Sequence, residues 1–151
     1  METAATSEKM LDRMEKMISG ELPDPPIALL IGLKVISVQP GESHLELDAG
    51  PQHFNPMGTV HGGVLCDLAD LAMGAAYAGT LDNGETFTTL ELKINFLRPV
   101  WKEKLFAVGK IVNRGRTIGM VECDITDSQG RLVAKATSTC MTLQKEMHRN
   151  R

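Results

Sequence analysis

The sequence has few cysteines, no long apolar run and no excess of positive charge, and each shortage excludes a class of protein. Its three cysteines are scattered and follow no CxxC or Cys/His metal spacing, so we expect free thiols in a reducing compartment. The most apolar stretch, residues 64–78, is interrupted by Asp67 and Asp70, which argues against a transmembrane helix.

The remaining composition is that of one globular domain. The chain has 151 residues, of which 42% are hydrophobic and 23% charged, unlike a disordered chain. The formal net charge of -3 provides no general attraction for phosphate backbones. Because the N-terminal segment also lacks a signal-peptide core, we expect a cytoplasmic protein that binds neither nucleic acid nor membrane.

Hydrophobic periodicity predicts three helices. They cover residues 6–19, a short segment from Pro25 or Pro26 to Ile31 that ends at Gly32, and a long central helix over about 62–79. The apolar stripe predicted for the central helix consists of Leu65, Leu68, Ala69, Ala72 and Ala76.

Alternating apolar residues predict an antiparallel sheet. A hairpin of residues 33–38 and 44–48 precedes the central helix, and a four-strand meander follows it over 87–97, 104–113, 117–126 and 131–143. We therefore predict an α+β fold in which the sheet packs around the central helix. The domain is expected to span 30–145, after a helical extension at 1–29 and before a polar tail at 146–151.

The segment that leads into the central helix carries the chemistry. Residues 53–72 read HFNPMGTVHGGVLCDLADLA, which resembles the HGG-containing signature of hotdog-fold acyl-CoA thioesterases of the phenylacetic-acid-degradation (PaaI-like) group. The later segments TTLELKINFLRPV and NRGRTIGMVECDITDSQGRLVAKATST are similar to that family as well. The resemblance covers residues 30–143 and implies a hotdog fold, an acyl-CoA substrate, and a homodimer or a dimer-of-dimers tetramer.

Asp70 is the best catalytic candidate. A carboxylate in the middle of an apolar helix is costly unless it has a partner or a task. Asp70 lies eight residues after Gly62, or ~12 Å along a helix axis, so one chain does not bring the two together. The resemblance implies that Asp70 of one subunit faces the HGG helix start of another. It would act as nucleophile or as general base, and the sequence leaves both roles open.

The resemblance assigns further roles around Asp70. The backbone N–H of Gly62, at a helix start, would stabilise the oxyanion of the attacked thioester. Asn55 would orient the thioester carbonyl or the attacking water. Thr89 would hold water or substrate, and a one-residue change of register would exchange it with Thr88. Asp67, three residues before Asp70 on much of the same helix face, is expected to face solvent or to be a modest electrostatic neighbour of Asp70.

The predicted substrate-binding residues lie at two places. His61 and Gly63 belong to the HGG motif, where His61 is expected to orient the loop through a side-chain hydrogen bond. Arg114, Arg116 and Thr117 form a turn that would receive the phosphates of CoA. We expect neither a metal nor a cofactor to be required.

Two alternative functions remain on the same fold. One is a non-catalytic acyl-CoA-binding module. The other is a hydroxyacyl-thioester dehydratase, in which a loop histidine, His53, would work with a helix glutamate. The central helix has no glutamate, so Asp70 would have to replace it.

Overall fold

A computed structural model describes residues 8–145 as three α-helices, one 3-10 turn at Pro51–His53 and six strands. The helices and strands, in chain order, are α1 (Met10–Ile18), α2 (Pro26–Ile31), β1 (Leu33–Gln39), β2 (Glu42–Ala49), α3 (Gly62–Ala78), β3 (Glu85–Phe96), β4 (Glu103–Arg114), β5 (Ile118–Thr126) and β6 (Leu132–Gln144). Each predicted element is present, although α1 begins at Met10, later than expected. The predicted tail at 146–151 lies outside the described residues.

The six strands form one antiparallel sheet in the order β1-β2-β4-β5-β6-β3. The predicted meander is therefore wrong for β3, which pairs with β6 instead of β4. Residues 97–102 do not form a tight turn. They cross to the loop before α3, where the Val60 N–H donates to the Val100 carbonyl at 2.8 Å. This crossing leaves β3 at the edge of the sheet.

Helix α3 lies against the sheet at very short range. The predicted apolar stripe is confirmed, since all five of its residues are buried. On β4, a Cβ added to Gly109 would come within 2.4 Å of the Ala72 carbonyl oxygen. From β2, the buried Ser43 hydroxyl donates to the same oxygen at 2.6 Å. Only a residue without a side chain fits at position 109 while the helix stays in place.

The N-terminal helices pack beside β1, and α1 also contacts α3 without covering all of the surface that the sheet leaves open. Helix α1 contacts β1 and α3, and its Met10 and Met14 pack against the core. Helix α2 ends, as predicted, at Gly32, whose φ of 89° is in the left-handed region that favours glycine. Among residues 8–145, no helix is long and apolar enough to cross a membrane.

The contact at Gly109 predicts a strong effect on stability. We expect Gly109→Ala to lower the free energy of unfolding by about 1–3 kcal/mol, because the new methyl group forces β4 and α3 apart. Urea denaturation measures the loss. Lys110→Ala, at the exposed next position of β4, is the control and should change it by less than about 0.5 kcal/mol. Equal stability of the two variants would contradict the close approach.

Candidate active site

One face of α3 is not covered by the described chain. Gly63, Asp67 and Asp70 are exposed and follow one another at positions i, i+4 and i+7, which places them on the same side of the helix. The burial that singled out Asp70 in the sequence is therefore absent in the single chain, because the sheet wraps only the opposite side. Asp67 shares this face with Asp70. Partial desolvation and then the negative charge of Asp70 raise the pKa of the Asp67 carboxyl group.

Asp70 is held by β3. The Thr89 hydroxyl donates to Asp70 Oδ1 at 3.1 Å, so Thr89, and not its neighbour Thr88, is the strand hydroxyl that faces the carboxylate. The regular pairing of β3 with β6 shifts between Thr89 and Glu91, directly after this contact. Asp70 and Thr89 together line an apolar cavity of ≈ 280 Å³.

The start of α3 leaves one N–H without a partner. His61 caps the helix, and its Nδ1 accepts from the Gly63 N–H at 2.8 Å. The Val64 N–H donates to the His61 carbonyl. Among the described residues, none accepts a hydrogen bond from the Gly62 N–H. A free first-turn N–H at the positive end of a helix is suited to bind an anion or an oxyanion.

Glycine at position 62 also has a steric reason. A Cβ there would lie 2.8 Å from Cζ of Phe96, so the ring at the end of β3 sits directly on the helix start. Thus β3 contacts both candidate groups of its own chain, Asp70 through Thr89 and Gly62 through Phe96. Along α3 the two groups are eight residues apart, or ~12 Å, as the sequence predicts.

Asn55 is engaged within its own loop. Its Oδ1 accepts from the N–H groups of Met57 at 3.0 Å and Thr59 at 3.2 Å, and its Nδ2 donates to the Thr59 hydroxyl at 3.0 Å. In the single chain these bonds make Asn55 the brace of the loop before α3, a common role for asparagine in turns.

His53 is a structural residue. It is buried, its Nδ1 accepts from the Gly50 N–H at 3.2 Å, and its Nε2 lies 2.7 Å from the Ile31 carbonyl oxygen. Both ring nitrogens therefore have a backbone hydrogen-bond partner. Since both nitrogens are in use, the dehydratase alternative loses its loop histidine.

A known protein family matches the part of the chain that carries α3 and β3. The family model of the thioesterase superfamily matches residues 57–134, which include the end of the loop before α3, then α3, β3, β4 and β5. The chain belongs to the thioesterase superfamily.

Individual thioesterase relatives cover most of this chain. A phenylacetic acid degradation-related protein from Ralstonia eutropha is 32% identical, with a TM-score of 0.77 over 84% of this chain and 97% of the other. The phenylacetic acid degradation protein PaaI from Thermus thermophilus is 28% identical, with a TM-score of 0.73 over 78% and 98%. Human acyl-coenzyme A thioesterase 13 is 25% identical over 71% of this chain and 77% of its own. The predicted hotdog fold and the PaaI-like resemblance are confirmed.

The turn after β4 carries the residues predicted to bind the phosphates of CoA, and one of them, Arg114, has contacts within the chain. The Arg114 guanidinium lies 4.6 Å from the centre of the Tyr77 ring and donates to the Thr80 hydroxyl at 3.0 Å. It is therefore directed onto the C-terminal part of α3. Arg116 and Thr117 are exposed, and their side chains remain the accessible part of the predicted phosphate site.

A second cavity, lined by three basic residues and by the carboxylates of Glu103 and Asp127, was not predicted from the sequence. It measures ≈ 330 Å³ and lies beside the crossing after β3, with Arg98, Trp101, Lys102 and Arg131 among its lining residues. Arg131 is paired with Asp127 at 2.7 Å. Three of these residues are contiguous with Pro99 and Val100, yet only the crossing past the α3 start brings them near the site.

The Asn55 contacts predict a structural effect of its removal. Asn55→Ala should speed hydrogen exchange of the Met57 and Thr59 amides and lower the free energy of unfolding by about 1–2 kcal/mol, since each lost hydrogen bond contributes about 1 kcal/mol. Asn55→Asp keeps the acceptor oxygen and is the control. Unchanged exchange at both amides in Asn55→Ala would show that the loop does not depend on this side chain.

Proposed function

We propose that the protein hydrolyses an acyl-CoA to the free acid and CoA, with Asp70 as the reacting carboxylate. The observation that carries the proposal is the exposed Asp70 carboxylate, hydrogen-bonded by Thr89 beside an apolar cavity. An ionised carboxylate there can attack the thioester carbon, releasing the CoA thiolate and leaving a mixed anhydride for water to cleave. Alternatively, it takes a proton from water that attacks the same carbon. The human relative, an acyl-CoA thioesterase, supports this reaction class.

The oxyanion that forms in either route needs a hydrogen-bond donor. The Gly62 N–H, unpartnered among the described residues, has the right character, but it lies too far along its own helix from Asp70. A second copy of the chain solves this separation. Strand β3 has an unpaired outer edge, and Leu90, Phe96 and Leu97 on or just after it are exposed large apolar residues. Such an edge favours pairing with another strand.

The contacts of β3 suggest the register of this pairing. A two-fold axis pairs the strand with its own copy in antiparallel fashion. When the axis passes between Leu92 and Lys93, Thr89 lies opposite the partner's Phe96. Because Thr89 holds Asp70 and Phe96 lies on Gly62, this register brings each Asp70 towards the partner's Gly62. We therefore propose a homodimer with two shared sites, which can pair further into a tetramer.

The remaining groups would bind the substrate. Asn55 would brace the loop so that the Gly62 N–H faces the thioester, while Arg116 and Thr117 would take a phosphate group of CoA. His61 and Gly63 would act through the helix cap that they form. We also propose a cytoplasmic location, because the three free cysteines are typical of a reducing compartment.

The Asp70 role has a direct test with a matched control. We expect Asp70→Asn to lower kcat for acyl-CoA hydrolysis by about 10²–10⁴-fold, as the loss of a positioned base or nucleophile does. Asp67→Asn makes the same chemical change on the same helix face and should keep activity within about threefold. Release of free thiol is followed with a panel of acyl-CoAs. Comparable activity of the two variants would refute the assignment.

If the wild-type protein does not hydrolyse acyl-CoA, two further observations distinguish the alternative functions. A wild-type protein that binds acyl-CoA without releasing thiol would be a binding module. Formation or loss of enoyl absorbance without thiol release would instead indicate a dehydratase.

Sharing of the site between subunits predicts complementation. Gly62→Pro removes the N–H but fits the first turn of a helix, and His61 before it has a compatible extended backbone. Gly62→Ala adds the same Cβ beside Phe96 and keeps the N–H, so it is the control for the steric change. Mixing inactive Asp70→Asn and Gly62→Pro chains after subunit exchange should restore about one quarter of wild-type activity, because half the dimers then carry one intact site. No recovery in proven mixed dimers would show that each site belongs to one chain.

A further inference from the structure

Helix α1 forms one wall of the cavity that Asp70 lines. Four of its residues line the space and recur at i, i+3, i+4 and i+7, so they form one helix face. These residues are Met10, Arg13, Met14 and Met17. The helix precedes residues 57–134, the part matched by the thioesterase family model. This wall therefore lies outside the region that the family model matches.

The opposite wall is made by small residues of α3. Gly74, Ala75 and Ala78 line the cavity, and they leave space where larger side chains would fill it. A Cβ at Gly74 would already lie 3.2 Å from the Phe87 ring, so the cavity is tightly bounded at that point. Val35 of β1 and Leu71 of α3 complete the apolar lining.

The volume of the cavity limits what it can hold. A methylene group occupies about the space of one water molecule in the liquid, ~30 Å³. The ≈ 280 Å³ of the cavity therefore accommodates roughly nine such groups by that measure. An unbranched acyl group of about eight to ten carbons fills it when its carbonyl lies at Asp70.

The chemistry of the lining selects an apolar group. Beyond Asp70 and Thr89, the polar residues in the lining are Arg13, which is exposed, and Asp24, which is half-buried. The methionine side chains of α1 are flexible and polarisable, and they adapt to apolar ligands of irregular shape. A charged or strongly polar acyl group would lose hydration in such a space without gaining a matched partner for each polar atom.

We propose that the methionine face of α1, formed by Met10, Met14 and Met17, is the distal wall of an acyl-binding cavity. This wall sets the length of the acyl group at about eight to ten carbons. The inference rests on the proposed function, since it assigns this cavity to the substrate of Asp70. Met14 is central in that face, and changing its size changes the length of the cavity. The extension thus determines specificity, while Asp70 carries the reaction.

The test is a chain-length profile of kcat/KM for straight-chain acyl-CoAs from C4 to C16, measured by thiol release. Wild type should be most active at C8–C10. Each methylene transferred from water into an apolar cavity changes kcat/KM by about fourfold. Met14→Ala removes three heavy atoms and makes room for about two more methylenes, so it should raise the C12-to-C8 ratio about 16-fold. Met14→Trp should shift the maximum towards C6 or shorter chains.

Controls separate cavity shape from general damage. Ile18→Ala changes an apolar residue of α1 that does not line the cavity, and it should keep the wild-type profile. Met17→Phe provides a second filling variant if Met14→Trp does not fold.

The outcomes are distinct for the two proposals. Hydrolysis with the same profile in wild type, in Met14→Ala and in a folded filling variant would overturn the inference and leave the proposed function standing. No hydrolysis of any acyl-CoA by folded wild type would overturn both.

Discussion

The close approach of α3 to strands β2 and β4 at Ala72 determines the geometry of the rest of the molecule. A glycine on one strand and a serine hydroxyl on the other bring both strands to the same helix carbonyl. With that side of the helix pressed into the sheet, the residues half a turn away must face outward. Asp70 is among them, and β3 reaches it through the Thr89 hydroxyl. The position of the Asp70 carboxylate thus follows from a packing contact on the far side of its helix.

Within residues 8–145 of the single chain, several groups have no covering partner. The outer edge of β3, the exposed carboxylate on α3 and the unpartnered N–H at the helix start are linked by contacts of β3 itself. One interface with a second copy would cover the edge and bring the two reactive groups together. In the proposed dimer, one helix could carry both groups although they are eight residues apart on it, because each site would take one group from each chain.

The matched thioesterase region and the N-terminal extension have different tasks in this view. In our proposal the matched region would hold the groups that act on the thioester, and their chemistry would not depend on the length of the acyl chain. The N-terminal extension provides a flexible apolar wall next to small helix residues. Size selection can therefore change through α1 without altering the groups that bind the carbonyl.

The sequence by itself determined the local structure and the kinds of residue available for the site. Periodicity located the helices and strands, and the HGG segment identified the candidate residues, because both depend on residues close together in the chain. Tertiary structure alone decided that β3 pairs with β6, that Asp70 is exposed, that His53 is locked by two backbone groups and that Arg114 lies on Tyr77. Periodicity shows which side of a strand or helix is apolar, but it does not specify which distant segment covers that side. That choice depends on how residues far apart in the chain pack, and here it rests on the short contact between helix and sheet.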